Sequence, residues 1–299
     1  MREARRPPFF CGLGCLDRPR LSCYGTGEVL MHSFSTRYRR PPGLEGVEVL
    51  RLADPDFHFA PHTHDAYVFW INGTGGERVS FGGSSAILQP DSFGVVAPGE
   101  VHANRPVTES RTLESFYVDP IVIEEIVGQC GGRSSGFRSR LQRDTEARGW
   151  LADLHAVLIR SEDAFLIHES FLSVFSRLLG RHGEYRLYPR PGSEPRKVAE
   201  ARSILDERFA ESLGLDEVAA LCGCSACHLI RLFRRETGMS PHAYLVERRL
   251  ACAKALLAEG ASLVEVALDT GFADQSHLAR RFKLRFGITP GRYRRQVCS

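Results

Sequence analysis

"LDEVAALCGCSACHLIRLFRRETGMSPHAYL", Leu215–Leu245, and "LVEVALDTGFADQSHLARRFKLRFGITPGRYR", Leu263–Arg294, are two versions of one pattern. Val218-Ala219 and Gly223 recur 48 residues later as Val266-Ala267 and Gly271. Leu229, Phe233, Gly238, Pro241 and Tyr244 recur 49 residues later as Leu278, Phe282, Gly287, Pro290 and Tyr293. One residue has been added in the turn between these two sets. Each unit reads as a helix, a glycine-containing turn and a second helix. The first has a helix over Leu215–Leu221, a turn at Cys222–Cys224 and a helix over Ser225–Thr237. Ser225 is suited to cap that helix and Gly238 to stop it. In the second unit Asp274 caps a helix that ends near Phe286, before Gly287.

The second helix of a helix-turn-helix pair enters the DNA major groove. Helical geometry divides it into faces. Leu229, Leu232 and Phe233 recur at spacings of three and four and form a buried stripe, which turns Cys227, Ile230, Arg231 and Arg234 outward. In the second unit Leu278 and Phe282 face in, while Gln275, Ser276, Ala279 and Arg280 face out. Arg reads guanine and Gln reads adenine through paired hydrogen bonds. Arg235, Arg281, Lys283, Arg285, Arg294 and Arg295 suit phosphate oxygens instead.

With these residues in place, the region from about Val198 to Arg295 resembles the DNA-binding domain of the AraC/XylS family of transcription regulators. The resemblance rests on "HLIRLFRRETGMSPHAYL" and "VALDTGFADQSHLARRFKLRFGITPGRYR" and covers about a third of the chain. It implies two helix-turn-helix units joined by a long helix, here about Pro241–Leu257, reading successive major-groove faces on one side of the duplex. It also implies base-reading roles at Cys227, Ile230 and Arg231, and at Gln275, Ser276, Ala279 and Arg280. Polar residues are frequent in the family at the position of Ile230, so Arg231 carries most of the first unit's hydrogen-bonding capacity.

Charge agrees with a polyanionic partner at this end. From residue 191 onward 17 Lys and Arg face 13 Asp and Glu, whereas the first 190 residues have 22 against 23. The 299 residues, with 43% hydrophobic and 25% charged content, suffice for two domains. No apolar run approaches the roughly 18 residues that suggest a membrane span. Pro7, Pro8, Gly12 and Gly14 interrupt the apolar patch near the start, so no export signal is expected. Met31 is an alternative first residue, which intact mass of the native protein decides.

There are nine cysteines, which at this density are expected to be free thiols of a cytoplasmic protein. "CGCSAC" sets Cys222, Cys224 and Cys227 close together. A thiol- or metal-responsive regulator is one reading of the trio; small, apolar turn residues are the other.

Upstream, "VEVLRL", "YVFWI", "ERVSF", "AILQ", "FGVVA" and "LESFYV" are short strand-like runs separated by Gly, Pro, Asp and Ser. They predict a sandwich or barrel. "HFAPHTHDAY", His58–Tyr67, places His62 and His64 two apart, on one face of a strand. "PHTHDAYVFWINGTG" and "GVVAPGEVHANRP" resemble the cupin-type sensor that precedes the DNA-binding half in many AraC-family proteins. In metal-binding cupins a glutamate follows the histidine pair by four or five residues and a third histidine follows a Pro-Gly turn. His102 after Pro98-Gly99 fits the latter; Val68 and Phe69 stand where the glutamate belongs. Asp65 is expected on the opposite strand face. No metal or other cofactor is therefore assigned, although His62, His64 and His102 alone could hold a zinc ion and a cupin metalloenzyme is the corresponding alternative. The assigned role is an effector pocket of His62, His64 and His102, with Tyr67, Phe69 and Trp70 as an apolar wall.

"WLADLHAVLI" and "FLIHESFLSVFSRLL" change to helical spacing, through Leu151, Leu154 and Leu158 and then Phe165, Leu166, Leu172, Phe175, Leu178 and Leu179. The expected class is a two-domain α+β protein: a cupin-like β-barrel with following helices, then an all-α domain. Residues 1–45 are expected to be a disordered tail, 46–125 the barrel, 126–185 a helical dimerisation segment, 186–195 a linker and 196–299 the DNA-binding domain. The expected function is sequence-specific binding of a double-stranded operator under control of a small-molecule effector. The protein is expected to be a homodimer and no enzyme, touching RNA polymerase if it activates and not touching membrane.

Overall fold

The computed structural model describes residues 35–54, 56–81, 84–109, 111–130, 132, 141–183 and 194–297. They group into two compact units: residues up to 127 with 133–162 and 177–186, and residues 128–132 and 163–176 with 187–299. Expectations for residues 1–34, including the start at Met31, and for most of the 186–195 linker lie outside the described residues.

The first unit is built on β1 (Ser35–Arg39), β2 (Val47–Ala53), β3 (Phe59–His62), β4 (Tyr67–Thr74), β5 (Glu77–Phe81), β6 (Ser84–Leu88), β7 (Ser92–Val96), β8 (His102–Pro106), β9 (Thr112–Val118) and β10 (Leu141–Arg143). One sheet has the order β1-β2-β9-β4-β7-β10 and the other β3-β8-β5-β6, and every pairing is antiparallel. All the strand-like runs read from the sequence lie on strands. Residues 35–39, read as tail from their composition, instead form β1, because their backbone pairs with β2 from Ser35↔Ala53 to Arg39↔Val49. Within the segment read as helical, Leu141–Arg143 adds a strand to the edge of β7.

Strand alternation sorts the side chains of β4. Val68 and Trp70 enter the core with Leu50, Leu52, Val79, Phe81, Leu88, Val96 and Leu113. Trp70 faces Gly94 across the β4–β7 register. A Cβ on Gly94 would stand 2.2 Å from the indole ring, so only glycine lets the ring lie over that strand. Beneath Trp70 a salt bridge joins Arg111 to Glu77, with both side chains wholly buried. Arg111 also donates to the Phe57 carbonyl at 2.7 Å.

Helix α1 (Pro120–Gln129) follows β9, and α2 (Thr145–Arg160) lies against β2, β4, β7 and β9. Asp144 caps α2 by accepting from the Ala147 N–H. Leu151, Leu154 and Leu158 form its buried stripe, and His155 Nε2 donates to the Leu50 carbonyl at 3.0 Å. Helix α3 (Ala164–His182) begins among the residues of the second unit, and its last turn returns to the first. There Arg181 bridges Asp144 and Glu146.

The second unit contains α4 (Pro195–Glu207), α5 (Leu215–Leu221), α6 (Ala226–Thr237), α7 (Pro241–Ala258), α8 (Leu263–Asp269), α9 (Gln275–Phe286) and α10 (Pro290–Val297). The repeat is structural. Ser225 accepts from the His228 N–H and Asp274 from the His277 N–H, capping α6 and α9 at matching places. Both helices stop at a left-handed glycine, Gly238 and Gly287. α7 matches the long joining helix expected from the sequence. α8 starts on a capping box, Ser262 with Glu265. Phe282 and Leu278 of α9 pack with Val246, Leu250, Ala253, Leu257, Val266, Ala267 and Phe272. Among the described residues no helix is long and apolar enough to cross a membrane.

Candidate functional site

Among the described residues, two places carry candidate chemistry, one in each unit. In the first unit, the antiparallel pairing of β3 with β8 sets His62 directly beside His102. His64 follows β3, and its carbonyl accepts from the Gly99 N–H at 2.7 Å, which ties it to the Pro98-Gly99 turn. The three rings face one another, with centroids 4.3 Å apart for His62–His102, 4.7 Å for His62–His64 and 5.2 Å for His64–His102. They line a narrow, solvent-open cleft with Phe59, Val68, Trp70, Asn104, Leu113, Ser115 and Tyr117.

The electrostatics of this cleft follow from burial. Desolvation pushes the His64 and His102 imidazoles down to about 4; His62 adds to both shifts, and the Glu100 carbonyl opposes that of His102. Both rings are therefore neutral near pH 7. Tyr117, whose ring stands 5.1 Å from that of His64, has its phenol pushed far up by burial and stays protonated. Burial also raises the Glu77 carboxyl, with the Arg111 guanidinium pulling the other way.

Of the residues read from the sequence, His62, His64, His102 and Trp70 come together here. Tyr67 and Phe69 do not. They alternate with Val68 and Trp70 along β4 and so point out of the opposite sheet face, where Glu124 approaches Tyr67. Val68, standing where a metal-binding cupin has its glutamate, lines the cleft with an apolar side chain, and Asp65 is exposed. Asn104, Ser115 and Tyr117 were not singled out by sequence reasoning, because β8 and β9 acquire their neighbours only through the sheet topology.

In the second unit, Gln275, Ser276 and Arg280 are exposed on α9 and Ala279 is half-buried beside them. Lys283 is exposed on the same helix. Arg285 is exposed and bound to Glu247 at 2.7 Å. The half-buried Arg281 donates to His277 at 3.5 Å, and Arg294 to the Ala261 carbonyl at 3.1 Å. On α6, Arg231 and Arg235 are exposed.

Cys227 and Ile230, expected on the outward face of α6, are only 2% and 3% exposed. The reason is tertiary: residues of the same unit cover that face. Ser225 Oγ donates to the Gln129 carbonyl at 3.2 Å, Arg234 donates to Ser173 Oγ at 2.7 Å, and the Cys227 thiol meets that of Cys130. The cysteine trio does not converge either. Cys222 is buried, Cys224 half-buried, and Cys227 pairs with Cys130 instead. Among the described residues the group of three or more side chains placed to share a metal ion is His62, His64 and His102.

Residues 45–175 match the family described as the AraC-like ligand binding domain, and residues 218–296 match the helix-turn-helix domain family. The HTH-type transcriptional regulator YbfI of Bacillus subtilis is 28% identical over 239 residues, which are 78% of this chain and 86% of that protein. The virulence regulon transcriptional activator VirF of Yersinia enterocolitica is 30% identical over 186 residues, 62% of this chain and 60% of its own. A crystal structure of an AraC-type regulator from Chromobacterium violaceum is similar over 35% of this chain and 95% of its own, at 33% identity and a TM-score of 0.34. Doubled helix-turn-helix units behind a β-rich domain with a lined cleft, and family matches over both, lead to one conclusion: the chain belongs to the AraC/XylS family of DNA-binding transcription regulators, with an AraC-like ligand-binding domain at its N-terminal side.

Proposed function

We propose that α9 and α6 read an operator and that the histidine cleft binds the small molecule that controls them. The observation that carries the DNA reading is the exposed trio Gln275, Ser276 and Arg280 on the second helix of a capped helix-turn-helix unit. Arg280 suits guanine and Gln275 adenine, each by two hydrogen bonds. Ala279, half-buried beside them on α9, suits apolar contact with a thymine methyl. Arg231 is the first unit's reader, since Cys227 and Ile230 are covered. Lys283 and Arg235 are open to phosphates, while Arg281, Arg285 and Arg294 would reach them from tethered positions. Arg280→Ala and Arg231→Ala should each weaken operator binding by about 1–3 kcal/mol and relax preference at one base position. Fluorescence anisotropy on an operator series at fixed salt reads both effects. Unchanged affinity and unchanged preference in the two variants would show that these helices do not read bases.

Effector control rests on the cleft's mixture of neutral imidazoles, a phenol and apolar walls, which suits a small, partly polar molecule. A ligand acts on DNA binding by preferring one of two conformations. The double variant His62→Ala with His64→Ala should keep basal operator binding and lose the effector response. Retention of the full response in that variant would remove the histidines from effector binding. Binding rather than turnover is assigned to the cleft because Val68 takes the place of the cupin carboxylate. The same reading includes a homodimer formed through the helices of residues 126–185, a cytoplasmic location and, for an activator, contact with RNA polymerase.

A further inference from the structure

The two helix-turn-helix repeats meet at a short turn. Residues 208–211, between α4 and α5, form a turn closed by the Glu211 N–H on the Arg208 carbonyl at 3.0 Å. Arg208 braces it within the first repeat, donating to the Glu211 carboxylate at 2.8 Å and to that of Glu217 on α5 at 2.7 Å. Arg249 reaches the same turn from α7. Its Nε donates to the Phe209 carbonyl at 2.7 Å and its Nη2 to the Glu211 carbonyl at 2.9 Å. Arg249 is only 8% exposed. Burying a guanidinium is costly, and an apolar side chain could occupy the same place on α7. What arginine adds is a planar fork that holds two carbonyls in fixed directions.

The second repeat meets the turn through Gly271. Its φ is +72°, and a Cβ there would stand 2.7 Å from the Ala210 carbonyl oxygen and 3.1 Å from the Ala210 Cα. Gly223, its counterpart 48 residues earlier, has a left-handed backbone at +61°, yet a Cβ there would meet nothing within 4 Å. Both positions need glycine for the turn itself. Of the pair, only Gly271 also lets the backbones of the two repeats touch. The helix-turn-helix motif does not explain that second demand, since the first repeat is built without it.

We infer that the turn of residues 208–211 sets the separation of the base-reading helices α6 and α9, with Arg249 and Gly271 as its positioning residues, so that the chain takes a duplex whose two sub-sites lie at one fixed spacing. The inference rests on the operator reading above. Val246, Leu250, Ala253 and Leu257 of α7 pack into the core of the second repeat, so α7 and α9 move as one body. That body is fastened to the first repeat at the start of α7, where Tyr244 meets the Phe233 ring at 5.5 Å and donates to Asp206 at 2.9 Å. One attachment leaves a rotation free; Arg249 and Gly271 add a second and remove it. The register matters because one inserted base pair moves a sub-site by about 3.4 Å along the duplex and about a tenth of a turn around it.

The test uses the full-length protein and a duplex that it selects from a random-sequence pool, with versions carrying one base pair inserted or removed at the centre of the footprint. Fluorescence anisotropy at fixed salt reads each affinity. In the wild type a changed spacing should weaken binding by at least about 10-fold, the cost of one lost bidentate base contact. In Arg249→Met and Gly271→Ala that penalty should shrink by more than about 3-fold, beyond the roughly 2-fold scatter of independent changes. A turn that only stabilised the fold would weaken binding to every duplex alike and leave the penalty unchanged. Gly223→Ala supplies the comparison: its backbone is strained in the same way, and its penalty should stay that of the wild type. Thermal melting by circular dichroism reports folding. Where Arg249→Met does not fold, Arg249→Lys serves, since it keeps the charge without the fork. An unchanged penalty in folded Gly271→Ala and a folded Arg249 variant overturns the inference, as does a penalty that shrinks equally in Gly223→Ala. A wild type that binds the selected duplex but tolerates the changed spacing overturns it and leaves the operator reading standing. One that selects no duplex overturns both.

Discussion

Replacing Arg111 with methionine lowers the stability of the barrel by about 3–5 kcal/mol, the usual result of stranding one half of a buried ion pair. Glu77 and Arg111 are both buried to the last atom of their side chains. They sit under Trp70 and Asn104, two residues of the cleft, and Arg111 also holds the Phe57 carbonyl in front of β3. With methionine at 111 the apolar stem is kept while the charge and two donor contacts go. The carboxyl of Glu77, already raised by burial, loses the one cation that pulls it down. Urea melts at neutral pH read the loss. Glu77→Gln with Arg111→Met should be less destabilised than Arg111→Met alone, since the uncompensated charge is gone. A single variant within about 0.5 kcal/mol of wild type would show that the pair contributes no more than an ordinary surface substitution. Because the pair supports the cleft floor, the single variant should also weaken any ligand bound there.

What was legible beforehand differs between the two units for a physical reason. The helix-turn-helix units announce themselves locally: Ser225, Asp274, Gly238 and Gly287 act on backbone groups within a turn of themselves, and the apolar stripe needs only the period of a helix. Strands that enter the core, such as β4 and β7, were legible from their apolar runs. β1, β3, β8 and β10 were not, because "STRYR", "FAPH", "HANRP" and "LQR" carry few apolar residues and are strands only by main-chain pairing with distant partners. The histidines of the cleft stood out by spacing, whereas Asn104, Ser115 and Tyr117 became neighbours through the β3–β8 and β4–β9 pairings. Tyr67 was misplaced by taking a run of aromatics for a wall when alternation splits it. Cys227 and Ile230 show the limit of helical periodicity: it gives the side of a helix, and only tertiary packing decides what covers that side.

Phe282→Ala should cost the second helix-turn-helix unit about 3–5 kcal/mol and take most operator affinity with it. Phe282 is fully buried among Val246, Leu250, Leu257, Val266 and Leu278, and its ring meets those of Phe286 at 4.5 Å and Tyr293 at 5.6 Å. The repeat makes a matched comparison possible. Phe233 is equally buried and meets Tyr244 at 5.5 Å, the same pair 49 residues earlier. In each unit the phenylalanine fixes the outward helix to the helix that follows it, so its removal releases the reading face rather than any DNA contact. Each variant should therefore melt earlier by circular dichroism. Phe282→Ala should lose more operator affinity than Phe233→Ala, because α9 exposes Gln275, Ser276 and Arg280 whereas α6 offers Arg231 with its neighbours Cys227 and Ile230 covered. Equal losses in the two variants would mean that both units contribute alike to the bound state. That would require the covered face of α6 to be uncovered on DNA.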